Sequence, residues 1–228
     1  MAIFTSTASV SRGLTFAFDA KNSKCYPGSG TSFRDLGTDT NSSSGSFASY
    51  TATDPGYISF NGSNGSGIQF PKNNIHDTQT PSVEVWVRTN ATSQNGFWFE
   101  KGTVNSQYSL FQEGGSIQWR QYYTSPAGLN NLSTSTASYM TTGVWYQVVG
   151  TYTSGSRKLY INGSLVNSDT KSGTVNTNQA GIGLGAFGGG GAGYPFNGDL
   201  AIVKVYNVEL TADEVLTNFN SLRGRFGI

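Results

Sequence analysis

Charge is scarce in this sequence. Lys, Arg, Asp and Glu together make up 12% of the 228 residues, about half the usual quarter of a globular chain. Basic and acidic residues nearly cancel, 14 against 13, for a net charge of +1. That balance gives no long-range field to draw in nucleic acid or an anionic membrane. A single cysteine, Cys25, excludes an intrachain disulfide and any zinc site built from several thiolates. A single histidine, His76, excludes a multi-histidine metal centre. No apolar run approaches the ~18 residues that a membrane-spanning helix requires. Met1 to Thr15 has no basic start and scatters its apolar residues among Ser and Thr, unlike an export signal.

Glycine and aromatic side chains are what the chain does have. It carries 30 Gly, and 13% of its residues are Phe, Trp or Tyr. This profile disfavours long helices, which draw on Ala, Leu, Glu and Lys. It also disfavours disorder, which goes with few aromatics and high net charge. Short strands joined by tight turns fit it best. A chain of this length forms one all-β domain and buries enough surface to fold without disulfide or metal.

Alternation marks the strands. Gly13–Phe18, Tyr57–Phe60, Gly67–Phe70, Ser82–Arg88, Phe97–Lys101, Gln107–Gln112 and Ser116–Tyr123 all read as extended. So do Trp145–Tyr152, Arg157–Ile161, Ser164–Ser168, Ala180–Phe187 and Leu200–Tyr206. Asn162-Gly163 between two of these runs is a strong hairpin signal, and Glu113-Gly114-Gly115 links another pair. About a dozen short strands at this spacing predict an antiparallel two-sheet sandwich or jelly roll. The stretches near 38–53 and 188–193 read as surface loops. One helix is expected, at the end. Thr211 and Glu214 make a capping box, Val215, Leu216, Phe219 and Leu222 form its apolar stripe, and Gly224 stops it. Residues 13–228 form the domain. The arm 1–12 has no core of its own and either orders on a partner or frays.

No catalytic set emerges. A retaining glycosidase sets two carboxylates around one bond, yet no Glu-x-Asp-x-Glu run occurs, and Glu84 is followed by Trp86 two positions on. His76 lies in a polar stretch that reads as a solvated loop, with no nucleophile elbow anywhere. Cys25 reads as a buried structural thiol. Gly183-Leu184-Gly185-Ala186-Phe187-Gly188 matches the spacing of a dinucleotide-binding turn, but no helix follows, so it reads as a strand running into a glycine loop. Asp54, Asp169 and Asp199 do not cluster in sequence as calcium ligands would. No metal and no cofactor is expected. The richest signal is Trp119, Arg120, Tyr122 and Tyr123, the candidate ligand-binding residues. Trp119 and Tyr123 share one face of their strand, and Arg120 and Tyr122 share the other. One pair belongs to the core, and the other stands where a sugar or a protein could touch it.

Several stretches resemble one family. They include Phe18-Asp19-Ala20, Tyr26-Pro27-Gly28-Ser29-Gly30, Ile58-Ser59-Phe60-Asn61-Gly62, Val83 to Val87, Trp145 to Tyr152 and Leu159-Tyr160-Ile161-Asn162-Gly163. Phe196 to Leu200, Val205-Tyr206-Asn207 and the helix ending Phe219-Asn220 continue the likeness. Together they are similar to the concanavalin A-like, laminin-G-like jelly-roll domains of tailed-bacteriophage virion structural proteins. The resemblance implies a non-enzymatic accessory subunit, a capsid decoration or a tail or fibre protein. It also implies other virion proteins as partners in an oligomeric particle, contact with host-surface polysaccharide, and localisation in the virion after synthesis in the host cytoplasm. The alternatives are a free carbohydrate-binding lectin module and, third, a glycoside hydrolase.

Overall fold

A computed structural model describes residues 8–37, 42–102, 107–177, 181–187 and 193–228. The strands, in chain order, are β1 (Leu14–Asp19), β2 (Ser32–Arg34), β3 (Ser42–Ser46), β4 (Ser49–Thr51), β5 (Tyr57–Asn61), β6 (Gly67–Phe70), β7 (Ser82–Thr89), β8 (Gly96–Lys101) and β9 (Tyr108–Glu113). They continue as β10 (Ser116–Ser125), β11 (Ala127–Ser135), β12 (Trp145–Thr153), β13 (Ser156–Ile161), β14 (Ser164–Asp169), β15 (Thr174–Val175), β16 (Ile182–Leu184) and β17 (Asn197–Tyr206). A four-residue helix α1 (Thr136–Tyr139) follows β11, and helix α2 (Ala212–Leu222) follows β17.

The strands form two antiparallel sheets. The first runs β14-β13-β12-β7-β17-β5-β4, with β1 also paired to β17. The second runs β11-β10-β9-β8-β16-β6-β3-β2, with β15 also paired to β10. Their inner faces pack Phe16, Val85, Trp98, Leu110, Trp119 and Val203, among others, into one fully buried core. The expected all-β jelly-roll sandwich with a C-terminal helix is what the chain forms. The β13–β14 turn has Asn162 at φ 50° and Gly163 at φ 77°, the left-handed pair that a two-residue hairpin turn requires.

Helix α2 closes the outer face of the first sheet. The Thr211 side chain accepts from the Glu214 backbone, and the Glu214 carboxylate accepts from the Thr211 backbone, as the capping box predicts. Val215 packs with Val149, Tyr160 and Tyr206, and Phe219 and Leu222 lie beside Trp86. Just beyond the helix, the Phe226 ring stacks on Trp86 with centroids 4.0 Å apart. Each apolar side chain so covered contributes about 1.5–3 kcal/mol. The stripe differs from the predicted one at a single position. Leu216 is exposed, and Asn218 is buried in its stead. Asn218 donates to Glu84 at 2.8 Å, and its carbonyl oxygen accepts from the backbone of Val10 at 2.8 Å.

Four further expectations change. Part of 38–53 forms strands β3 and β4, because each pairs with a neighbour, β6 and β5, that has an inward apolar face; residues 38–41 lie outside the described set, as do 188–192 of the other predicted loop. Strand β11 is polar along most of its length and was not signalled by alternation, yet it pairs with β10 over its whole length. His76 is buried, in a short 3-10 turn with its ring 5.8 Å from Phe16. Residues 8–12 of the arm lie on α2, with Arg12 paired to Glu214 at 2.6 Å; residues 1–7 are outside the described set.

Candidate functional site

Strand β10 divides the four sequence candidates in two. Its inward residues alternate with outward ones along its length. Trp119 and Tyr123 point inward and are fully buried. The Trp119 indole donates to the Thr151 carbonyl of the opposite sheet at 3.0 Å, and the Tyr123 ring lies 5.6 Å from that of Tyr152. Both are therefore core residues and not ligand contacts. Arg120 and Tyr122 stand on the outer face of the second sheet.

Strand register brings other polar side chains beside them. Arg120 is opposite Asn131 on one side and Ser109 on the other. Ser109 is opposite Glu100, Glu100 opposite Gly183, and Gly183 opposite Gln69. The row from Arg120 to Gln69 crosses four strand spacings, about 19 Å. Gly183, the first glycine of the apparent dinucleotide motif, contributes a gap in this row and no phosphate loop. A small depression lies at the Arg120 end. Its floor is made by the buried Glu100, Gln107, Tyr108 and Ser109, and its rim by Arg120, Tyr122 and the exposed Leu129.

Arg120 is fixed from three sides. Its Nε donates to Asn131 at 2.9 Å, and its Nη2 donates to Glu113 at 3.2 Å. Its guanidinium carbon lies 4.1 Å from the centre of the Phe111 ring. Burial pulls its pKa below the ordinary arginine value, against the Glu113 and Glu100 carboxylates that favour the cation. Glu113 in turn accepts from the Tyr194 hydroxyl at 2.5 Å and from Gln118 at 3.2 Å. The hydrogen bond to Glu113 raises the Tyr194 pKa. Beyond Arg120 the same face is apolar, where Phe97, Phe111 and Phe187 cluster under Tyr194.

The acids considered for metal binding are engaged elsewhere. Asp54 pairs with Lys21, Asp169 with Arg157 and Asp199 with Arg88. Glu84 is buried beneath α2 and accepts from Trp86, Gln147 and Asn218. Among the described residues no three His, Cys, Asp or Glu side chains gather as a metal would need. Glu100, Gln107 and Ser109 were not singled out from sequence. Each sits in a strand or at a strand end that alternation does predict, but only the order of strands in the sheet brings them to Arg120.

A family model described as the Concanavalin A-like lectin/glucanases superfamily matches residues 61–216. The chain belongs to this superfamily. Among solved structures, the fold is shared with the binding domain of Paraclostridial Mosquitocidal Protein 1, at TM-score 0.72 and 17% identity over 92% of this chain and 52% of that one. The botulinum neurotoxin serotype G binding domain matches at TM-score 0.69 and 17% identity, over 90% of this chain and 50% of that one. The chain thus spans about half the length of these toxin domains. Domain 4 of a GH43 extracellular arabinanase from Geobacillus stearothermophilus, solved with arabinotriose, matches at TM-score 0.66 and 20% identity over 91% of this chain and 98% of that one. No curated protein matches the sequence. These relatives correct the tailed-phage expectation. The shared fold is that of toxin binding domains and of an arabinanase domain solved with arabinotriose. The capsid or tail role, the virion partners with their oligomeric particle, and the virion localisation fall with that resemblance. No helix among the described residues is long and apolar enough to cross a membrane.

Proposed function

We propose that this chain is a non-catalytic glycan-binding module and that it holds its ligand on the outer face of the second sheet. The observation that carries the reading is the Arg120 depression. It sets the Tyr122 ring and the Arg120 guanidinium side by side on the outer face, with the exposed Leu129 and Asn131 of β11 beside them. Sugars are bound by this combination, an apolar ring face with polar groups around it. The superfamily of lectins and glucanases supports the reading, as does the arabinotriose held by a domain of the same fold.

The non-catalytic part rests on Glu113. Glycoside hydrolysis needs two carboxyl groups flanking one bond, one of them able to give or take a proton. Glu100 and Glu113 lie on adjacent strands, but both Glu113 oxygens are committed, one to Tyr194 and the other to Arg120 and Gln118. Glycan-array binding of the purified chain tests the proposal. Tyr122→Ala should abolish the signal while leaving the melting temperature in place. An array with no bound glycan, or binding indifferent to Tyr122→Ala, would overturn it. So would release of reducing sugar that disappears in Glu100→Gln.

A further inference from the structure

We infer that Asn64 is a modification site, where the chain converts its own asparagine to aspartate and isoaspartate without an enzyme. Asn-Gly occurs five times, at Asn61, Asn64, Asn95, Asn162 and Asn197. The pair is reactive because glycine has no Cβ to keep its backbone nitrogen from the asparagine side chain. In the reaction the Gly65 nitrogen attacks the Asn64 Cγ and forms a C–N bond, closing a five-membered succinimide. The Cγ–Nδ2 bond breaks, and the amide leaves as ammonia with the proton that the Gly65 nitrogen gives up. Water then opens the ring at one carbonyl to aspartate or at the other to isoaspartate. Water is the only co-reactant, and nothing is oxidised or reduced.

The fold sets Asn64 apart from the other four. Asn64 and Gly65 are exposed at the tip of the turn between β5 and β6, which the Ser66 N–H closes onto the Ser63 carbonyl at 3.0 Å. Among the described residues neither the Asn64 amide nor the Gly65 N–H has a hydrogen-bond partner. Apart from its chain neighbours, no atom lies within 4 Å of where a Gly65 Cβ would stand. At each other pair the amide oxygen is held. Asn61 Oδ1 accepts from the Ser63 backbone at 3.0 Å, and the Gly62 N–H donates to the Phe196 carbonyl at 2.9 Å. Asn95 Oδ1 accepts from the Gly114 backbone at 2.9 Å, and Gly96 is buried in β8. Asn162 Oδ1 accepts from the Gln147 backbone at 3.0 Å, and Gly163 lies against Leu216 and Phe219. Asn197 Oδ1 accepts from the Asn90 side chain at 3.0 Å, and Gly198 is buried in β17, between β5 and β7. Attack at these four sites must wait for local opening of the structure.

The test is peptide mapping by mass spectrometry after the whole chain is incubated at pH 8, either folded or in urea. In the folded chain Asn64 should gain about one dalton at least about tenfold faster than any of the other four, the scale of one hydrogen bond that must open first. Two products of that mass should appear, aspartate and isoaspartate. Isoelectric focusing should show a more acidic species, because one new carboxylate takes the net charge from +1 to zero. In urea all five sites should react at similar rates. Asn64→Gln, whose longer side chain closes a larger ring, should lose the fast reaction. A folded chain in which Asn64 is no faster than the others overturns the proposal. So does aspartate without isoaspartate, the mark of direct hydrolysis. Asn64 leading by the same factor in urea would assign its rate to local sequence and overturn the role of the fold.

Discussion

Trp119 and Thr151 tie the two sheets to each other through the core, the indole Nε1 of one strand donating to the carbonyl of the other at 3.0 Å. The ring reaches that carbonyl because its neighbour on β12 is Gly150. A Cβ added to Gly150 would stand 2.3 Å from the Trp119 ring. Gly150→Ala should therefore destabilise the protein by about 1–3 kcal/mol through overpacking. Urea unfolding measures this, and an unchanged midpoint would mean the indole has a second resting place.

The aromatic ring at the chain's far end should matter as much as any in the core. Phe226 stacks on Trp86 at 4.0 Å and is 8% exposed. Phe226→Ala should cost about 3–5 kcal/mol, the range for large rings removed from packed sites. Phe219 is only half-buried, and its centroid is 6.0 Å from that of Trp86. Phe219→Ala should thus cost less than Phe226→Ala. The reverse order in chemical denaturation would contradict this account of the helix.

Acid should loosen the N-terminal segment from α2. The Arg12 guanidinium, together with the Thr211 backbone, lowers the Glu214 pKa from 4.5 to about 2. A carboxylate depressed in the folded state contributes stability that is present above its unfolded value and lost as pH falls through the folded one. The melting temperature of the native chain should exceed that of Arg12→Ala at neutral pH, and the gap should close between pH 4.5 and about 2. Salt should shrink the gap as well, because the pair is largely exposed. A gap that persists at pH 2 would point to packing and not charge.

Cys25 should resist alkylation. It is buried, and burial pushes its thiol up to about 12, so the reactive thiolate is scarce at neutral pH. Iodoacetamide mass-tagging at pH 8 should label it only once denaturant unfolds the chain. Labelling of the native protein at the rate of a free thiol would show that the segment around Tyr26 opens readily.

Much of the sandwich could be read from alternation and turns, because strands with one face in the core must alternate. Ser82–Arg88 and Ser116–Tyr123 are examples, and the Asn162-Gly163 turn fixed its hairpin. Strand β11 escaped notice because it lies at a sheet edge, where neither face needs a regular apolar set; only Leu132 of its side chains is buried. His76 looked solvated because its neighbours are polar, yet the ring is placed by contact with Phe16, sixty positions away. At the candidate site, period-two alternation could split Trp119 and Tyr123 from Arg120 and Tyr122 but could not say which pair faced the core. Glu100 and Gln107 belong to the site through the pairing of β8, β9 and β10, a property of sheet order that no local pattern encodes.

The contact of Val10 and Arg12 with α2 also governs how the fold can be joined to other polypeptide. Both the early segment and the last helix lie over the outer side of the first sheet. The depression is on the outer side of the second. Polypeptide joined next to Val10 or to the last helix would therefore attach to one flank of the sandwich, and the Arg120 face would look away from it. A string of such units would turn its Arg120 faces outward, without any linker having to cross them.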